Sequence, residues 1–168
     1  MSSSFAPTPV SEERSRVRNL VSAWVPVAFC VLVIATESTV FFGADHTSGP
    51  LQRFFEFLLN RHFTQPQWWR LHIIIRKCGH FTGYGLLSIS WFRAFWMTWP
   101  FANDPNRRRI VAHSLAMLGT LLIASSDEFH QTFLPNRSGS PWDVLLDCTG
   151  GLLMQLLVWL WMSRRLRS

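Results

Sequence analysis

The stretch that decides the fold is residues 127–147, which read DEFHQTFLPNRSGSPWDVLLD. Four carboxylates, a histidine, a glutamine and an arginine stand here between two apolar runs, each long enough to span a bilayer. Pro135 to Gly139 holds residue types that favour a tight reversal, and Ser140 or Pro141 suits the start of a helix. The pattern predicts two membrane helices whose polar ends meet at a turn. Ionisable groups at such depth are costly and usually functional.

Outward from this turn, the chain contains four apolar stretches of bilayer-spanning length. They lie at about residues 19–37, 79–100, 110–128 and 142–162. The sequence therefore predicts an all-α fold, a polytopic membrane bundle of four transmembrane helices. The predicted divisions are a mobile cytoplasmic tail at 1–18, the transmembrane domain at 19–162 and a basic cytoplasmic tail at 163–168.

The connection between the first and second predicted helices, residues 38–76, is too long for a simple turn. Apolar and charged residues alternate with helical period between Leu51 and Arg61, and the segment Trp68 to Ile75 is aromatic and basic. Both features suit the headgroup zone of a bilayer. We expect one or two interfacial helices on the outer leaflet, with an amphipathic loop packed on the bundle as the alternative.

The formal net charge of +6 comes from basic residues that cluster at the edges of the apolar segments. This distribution is typical of a protein oriented in a membrane and not of one that binds nucleic acid. With four spans, three basic clusters fall on one side, which the positive-inside rule assigns to the cytoplasm. These clusters are Arg14, Arg16 and Arg18; Arg107, Arg108 and Arg109; and Arg164, Arg165 and Arg167. Both termini are therefore expected in the cytoplasm.

This topology brings polar residues from all four helices to one depth near the external leaflet. Lys77, His80 and Tyr84 have the spacing i, i+3, i+7 and lie on one side of the second helix. Asp143 and Asp147 are one turn apart on the fourth helix. The predicted pocket is completed by residues at the ends of the other helices and in the turn: Glu37, Asp127, Glu128, Gln131 and Arg137.

Two glycines follow the acidic pair on the fourth helix. Gly151 continues the four-residue step from Asp147, and Gly150 lies beside it. Small residues on a membrane helix let a neighbouring helix approach closely. We therefore expect close packing beside the predicted pocket.

At these residues the chain resembles the VanZ-like family of small bacterial membrane proteins. The matching pattern is Lys77-x-x-His80-Phe81-x-x-Tyr84, then Asp127-Glu128-x-x-Gln131-x-Phe133-x-Pro135-x-Arg137, and finally Asp143-x-x-x-Asp147-x-x-Gly150. Similar sequences usually carry Gly where this chain has Asn136, and Asn where it has Asp147. The resemblance implies a multi-pass protein of the bacterial cytoplasmic (inner) membrane. The family is named for a role in glycopeptide (teicoplanin) resistance, and the resemblance implies no particular reaction.

Three functions fit these residues. The first is a pocket that binds or translocates an anionic lipid-linked or cell-envelope intermediate. The alternative is a membrane-embedded hydrolase or transferase acting on a phospholipid headgroup, with general bases and a proton shuttle or nucleophile. The third is a scaffold whose charges pair without a ligand. The candidate binding residues are Lys77, Arg137, Tyr84, Gln131, Glu37 and Asp147. The candidate catalytic residues are Asp127, Glu128, His80 and Asp143.

The sequence identifies no cofactor. An excess of carboxylates is compatible with a divalent ion, but we assign no metal ligand, because Glu128-x-His130 lacks the i, i+4 geometry of a zinc helix. The cysteines, Cys30, Cys78 and Cys148, show no paired or metal-type spacing. The expected partners are membrane lipids or a lipid-linked intermediate, and no nucleic acid.

Overall fold

The computed structural model describes residues 9–39, 41, 44–98, 104–135, 137 and 139–165, and these residues contain five α-helices and no strand. The helices are α1 (Pro9–Glu37), α2 (Ala44–Leu59), α3 (Gln65–Thr98), α4 (Pro105–Gln131) and α5 (Pro141–Arg165). The predicted all-α class is confirmed. α3 packs against α1, α4 and α5, so it is the element that links the bundle.

Three of the described helices are long and apolar enough to cross a membrane. They are Glu12–Glu37 within α1, Pro105–Gln131 and Pro141–Arg165, which contain the first, third and fourth predicted spans. The second predicted span falls in α3, apart from residues 99–100, which lie outside the described residues. α3 is not among the three, and the charged residues Arg70, Arg76 and Lys77 lower the hydropathy of its first half. A four-span topology therefore remains a prediction.

The connection before α3 contains one separate helix. α2 includes the apolar segment from Leu51 to Leu59, which the sequence predicts as helical. The aromatic and basic segment from Trp68 to Ile75 does not form a second helix of its own, because α3 begins at Gln65 and continues unbroken to Thr98. That segment instead lengthens the second predicted membrane helix by several turns at its polar end.

Local hydrogen bonds explain why α3 begins where it does. Gln67 Oε1 accepts a hydrogen bond from the N–H of Thr64 at 3.1 Å, as the third-position residue does in a capping box. The N–H of Trp68 donates to the Thr64 carbonyl at 2.9 Å. Pro66 is in the first turn, where its missing N–H costs nothing. The helix start is thus encoded before the aromatic segment, which is why that segment is part of α3.

A turn at Asn60 joins α2 to α3. Asn60 has a φ of 47°, the left-handed conformation in which helices commonly end. Glu56 accepts hydrogen bonds from the N–H of Phe63 at 2.9 Å and from Gln52 at 3.1 Å. These two hydrogen bonds hold the pKa of Glu56 below its usual value, and the bond from the Phe63 N–H has the larger effect. On the far side of the turn, Trp68 Nε1 donates to Ser48 at 2.7 Å and ties α2 to α3.

The helix boundaries at the two ends of the chain differ from the predicted divisions. The predicted tail ends at residue 18, but α1 begins at Pro9, so the described part of that tail is helical. α5 continues past the predicted boundary at 162 to Arg165. Residues 1–8 and 166–168 lie outside the described residues.

The bundle buries polar as well as apolar side chains, and large apolar side chains are exposed on its exterior. Ser88, Thr120, Asp147 and Gln155 are buried, and the Gln155 amide donates to both the carbonyl and the hydroxyl of Ser88 at 2.8 Å. Large apolar side chains are exposed along the outward faces of three helices: Leu20, Val25, Phe29 and Leu32; Leu118, Leu121 and Leu122; and Leu152, Leu153, Leu156 and Leu157. This distribution fits helices that face hydrocarbon on the outside and satisfy polar groups between themselves.

Gly150 sets how closely α5 packs on α3. A methyl group added at Gly150 would overlap the carbonyl oxygen of Phe81, so the backbones are in direct contact here. Gly85 lies opposite, and a methyl group there would be 3.3 Å from the Gly150 carbonyl oxygen. The predicted close packing is confirmed. It places Asp147, one turn earlier on α5, beside His80, the residue before Phe81.

We expect Gly150→Ala to lower the free energy of unfolding by about 1–3 kcal/mol, because the added methyl group must separate α5 from α3. Titration with sodium dodecyl sulfate in mixed micelles measures this difference. Gly83→Ala is the matched control, since a methyl group on α3 at Gly83 meets no atom within 4 Å. Equal unfolding midpoints for the two variants would show that the close packing does not limit stability.

Candidate functional site

The polar ends of α3, α4 and α5 enclose a cavity of about 120 Å³, which we call the polar pocket. Nine residues line it: Ile73, Arg76, Lys77, His80, Glu128, Gln131, Asp143, Leu146 and Asp147. Six of these are candidate site residues from the sequence: Lys77, His80, Glu128, Gln131, Asp143 and Asp147. Residues separated by up to about 70 positions along the chain thus meet at one level of the bundle, as the predicted topology requires.

Asp147 and His80 form the inner end of the polar pocket. Asp147 is completely buried, and its Oδ1 lies 3.6 Å from His80 Nδ1, just beyond hydrogen-bond distance. Neither carboxylate oxygen of Asp147 has a hydrogen-bond partner among the described residues. Burying an acceptor without a partner is costly, and a charged one more so. A group in this state is expected to have a partner that is not a protein atom, such as an ion, a water molecule or a ligand.

Glu128 is held by the turn between α4 and α5. Its Oε2 accepts a hydrogen bond from the N–H of Ser140 at 2.8 Å. A methyl group added at Gly139 would overlap the carbonyl oxygen of Glu128, so the turn packs directly on the end of α4. Ser140 in turn caps α5 by accepting from the N–H of Trp142 at 3.2 Å. The same short turn therefore begins α5 and orients the Glu128 carboxylate toward the pocket.

Lys77 and Asp143 form an ion pair at the mouth of the polar pocket. Lys77 Nζ lies 2.6 Å from Asp143 Oδ1, and the two side chains are 53% and 35% exposed. Exposed pairs of this kind contribute about 0–1 kcal/mol, because water screens the charges. The pair can therefore open at low energetic cost and release the Lys77 ammonium to a ligand.

Tyr84 and Asp127 interact behind the polar pocket. The Tyr84 hydroxyl donates to Asp127 Oδ2 at 3.0 Å, and both residues are buried. Neither is among the residues that line the pocket in the described part of the chain. The Tyr84 ring stacks on His80 with centroids 6.3 Å apart, so the pair supports the histidine from behind. This geometry suits a positioning role for Asp127 and Tyr84 better than direct contact with a ligand.

Arg137 is not among the residues that line the polar pocket in the described part of the chain, and it contacts the end of α1. Its Nη2 donates to the backbone carbonyl of Glu37 at 3.1 Å, and a cation is favourable at this carbonyl-rich helix end. Burial lowers the pKa of Arg137, and nearby Arg76 lowers it further, against the opposing effect of Asp127 and Glu128. The guanidinium still carries its charge at neutral pH. Arg137 therefore ties the turn to α1, and its role in substrate binding stays a prediction.

A larger cavity of about 540 Å³, the adjacent cavity, lies between α2, α3 and the end of α1. Its lining is Glu37, Thr47, Pro50, Leu51, Phe54, His72, Ile75, Arg76, Gly79 and His80. Arg76 and His80 border both cavities. Sequence reasoning missed Arg76 as a site residue, although it precedes His80 by one helical turn and shares its side. It also missed His72, whose ring is buried against Trp68 with no hydrogen-bond partner for either nitrogen among the described residues.

A family model described as VanZ/LLP1 matches residues 6–162, nearly the whole chain. The chain belongs to the VanZ/LLP1 family. The match spans α1 to α4 and most of α5, so it includes the described residues that line the polar pocket, and it confirms the family that the motifs predict. It also supports the membrane character of this VanZ/LLP1 protein. No curated protein and no solved structure matches the chain.

We expect Tyr84→Phe to lower the free energy of unfolding by about 1–3 kcal/mol, because buried Asp127 loses the hydroxyl that donates to it. Asp127→Leu and the double variant complete a mutant cycle, measured by the same detergent titration. Removing both partners should cost less than the sum of the single changes, because no unpaired acceptor remains. Strictly additive losses would contradict a direct Tyr84–Asp127 interaction.

Proposed function

We propose that this VanZ/LLP1 protein binds the anionic, phosphate-bearing headgroup of a membrane lipid or lipid-linked cell-envelope intermediate in the polar pocket. The observation that carries the proposal is the junction of two cavities at Arg76 and His80. One cavity is small and lined mostly by polar and ionisable side chains, and the other is larger and combines ionisable groups with apolar walls. An amphiphile with a compact charged head matches this pair.

Hydrogen-bond donors in the polar pocket support an anionic ligand. Arg76 and Lys77 supply positive charge on consecutive residues of α3. Gln131 is buried, and its Nε2 has no hydrogen-bond partner among the described residues. A phosphate oxygen would satisfy this donor and accept charge-assisted bonds from the two cations. The volume of the pocket is well below the range of about 300–1,000 Å³ for drug-sized ligands, so it suits a headgroup and not a whole lipid.

The adjacent cavity supplies a place for the hydrocarbon part of the ligand. Leu51, Phe54 and Ile75 contribute apolar walls, and Pro50 lies beside them. The cavity reaches the polar pocket at Arg76 and His80, so a lipid phosphate at this junction would leave its chain along α2. The scaffold alternative explains the Lys77–Asp143 pair and the contact of His80 with Asp147, but it gives no reason for the unpartnered Nε2 of Gln131.

The proposal includes a location and a topology. We place the protein in the bacterial cytoplasmic (inner) membrane, with α3 as the fourth membrane-crossing helix, both termini in the cytoplasm and the polar pocket at the outer leaflet. α2 lies on that leaflet, which its exposed apolar residues Phe54, Phe57 and Leu58 support. Handling of an outer-leaflet cell-envelope intermediate, by binding or by translocation, would connect this protein to glycopeptide (teicoplanin) susceptibility.

One observation favours hydrolysis or transfer of the headgroup as a second candidate function. Asp147 is buried beside the His80 imidazole, and a carboxylate in that position stabilises the imidazolium that forms when histidine accepts a proton. Glu128, on the other side of the pocket, offers a second general base. Binding and catalysis would use the same residues, and only the appearance of a product distinguishes them.

Native Cys78 provides a test of the topology, because it is exposed and follows Lys77. The first variant lacks Cys30 and Cys148. We expect a membrane-impermeant maleimide to label its Cys78 in cells whose outer membrane is permeabilised and whose inner membrane is intact. Arg107→Cys, added to a variant without native cysteines, is the matched control and should react only after the inner membrane is permeabilised. Labelling of both positions from the same side would contradict the proposed arrangement.

We expect Arg76→Gln and Lys77→Gln each to weaken binding of radiolabelled undecaprenyl phosphate in nanodiscs by about 10- to 100-fold, as loss of a charged hydrogen bond predicts. Arg70→Gln is the matched control, since Arg70 is exposed on the same helix outside both cavities. Equal losses of lipid affinity in all three variants would show that binding depends only on the overall charge of the protein. This result would contradict binding in the polar pocket.

The same preparation separates the two candidate functions. Release of labelled phosphate or transfer of the label, lost in His80→Asn while lipid binding persists, would establish chemistry at the pocket. Binding that is lost in the Arg76 and Lys77 variants, with no product from the wild type, would support binding or translocation.

A further inference from the structure

We propose that His80, Glu128 and Asp147 form a binding site for a divalent metal ion, with Zn²⁺ as the preferred ion and Mn²⁺ as the nearest alternative. Each of these residues offers one ligand atom, and the ligand atoms all lie within 4.8 Å of one another. The metal site lies in the polar pocket. It is a separate proposal from lipid binding, because a bound metal ion can be detected in protein without any lipid.

The spacing of the donor atoms fits a single ion. Two ligands at zinc–nitrogen and zinc–oxygen bond lengths of about 2.1 Å on a tetrahedral centre are about 3.4 Å apart. His80 Nδ1 and Asp147 Oδ1 are 3.6 Å apart, close to that value. The Glu128 ligand atom lies within 4.8 Å of the other two, so it would have to move closer for all three to bind one ion. The three residues come from α3, α4 and α5, so an ion would join three helices.

The state of Asp147 is the independent observation that points to a cation. The side chain is completely buried, it lines the pocket, and neither of its oxygens has a hydrogen-bond partner among the described residues. Lys77 is engaged with Asp143, and the Tyr84 hydroxyl with Asp127, so neither donor serves Asp147. His80 Nδ1 lies 3.6 Å from Asp147 Oδ1 and balances its charge only when the imidazole is protonated, whereas a bound cation would contact both groups.

The surroundings complete the features of a metal site. Glu128 is oriented by the Ser140 N–H, and ligating carboxylates commonly have such a supporting hydrogen bond. One imidazole with two carboxylates suits zinc and manganese better than magnesium or calcium, which take mainly oxygen ligands. Three protein ligands leave a fourth position open toward the cavity, the arrangement of catalytic rather than structural zinc sites. An anionic oxygen could bind there.

The test measures metal binding to the purified full-length protein. The protein is purified with an affinity tag that contains no histidine, and a chelator then removes any bound metal. Titration with ZnCl₂ and MnCl₂ by calorimetry, and metal content by mass spectrometry after dialysis, should give one ion per chain. We expect Asp147→Asn and Glu128→Gln to weaken binding by more than about 100-fold, since even changes next to a ligand cost 10- to 100-fold. Asp143→Asn is the matched control, with a loss of 10-fold or less.

Spectroscopy keeps the test informative if a variant does not fold. Zinc X-ray absorption of the wild type should show only nitrogen and oxygen ligands at about 2.0–2.1 Å, including one imidazole. Sulfur at about 2.3 Å would assign the ion to a cysteine and overturn the site. Wild type that binds neither ion, or equal binding in Asp147→Asn, Glu128→Gln and Asp143→Asn, would also overturn it. Lipid binding in metal-free protein is measured separately, so either proposal can fail without the other.

Discussion

Close packing of α5 on α3 at Gly150 is the constraint on which the site depends. The contact between the Gly150 backbone and the Phe81 carbonyl fixes both the distance between the helices and their relative height. Asp147 and His80 each precede this contact, so they face each other at one level of the bundle. Gly139 plays the same part at the end of α4, where its contact with the Glu128 carbonyl aligns Ser140 with the Glu128 carboxylate. Two glycines thus position the groups that define the polar pocket.

The four carboxylates around the turn are not equivalent, and their differences favour a ligand site over a scaffold. Asp143 has the Lys77 ammonium, Asp127 has the Tyr84 hydroxyl, and Glu128 has the Ser140 amide. Asp147 is the most buried of the four and has no hydrogen-bond partner among the described residues. A scaffold built for stability would pair its most buried charge first, because that charge costs most when it is unpaired. The reverse order is expected where a ligand completes the set.

Much of this arrangement could be predicted because it depends on helical period and turn chemistry. The lengths of the apolar runs predict α4 and α5, and the residues around Pro141 predict the start of α5. The predicted topology, in which successive helices alternate in direction, places His80 and Asp147 at the same level. The contact of Arg137 could not be predicted, since its partner is the Glu37 carbonyl and a backbone acceptor leaves no mark in the sequence. The separate helix proposed for Trp68 to Ile75 failed for a local reason: the Thr64 cap starts α3 before that segment.

The polar first half of α3 and the proposed function depend on the same residues. Arg76, Lys77 and His80 lower the hydropathy of this part of the helix, and Arg93 interrupts the apolar run that follows. The same three residues line the polar pocket, and Arg76 and His80 also border the adjacent cavity. α3 packs against α1, α4 and α5, which enclose part of its surface. Polar residues are tolerated on a membrane helix when its neighbours enclose them, so the helix that packs against three others is well placed to carry the site.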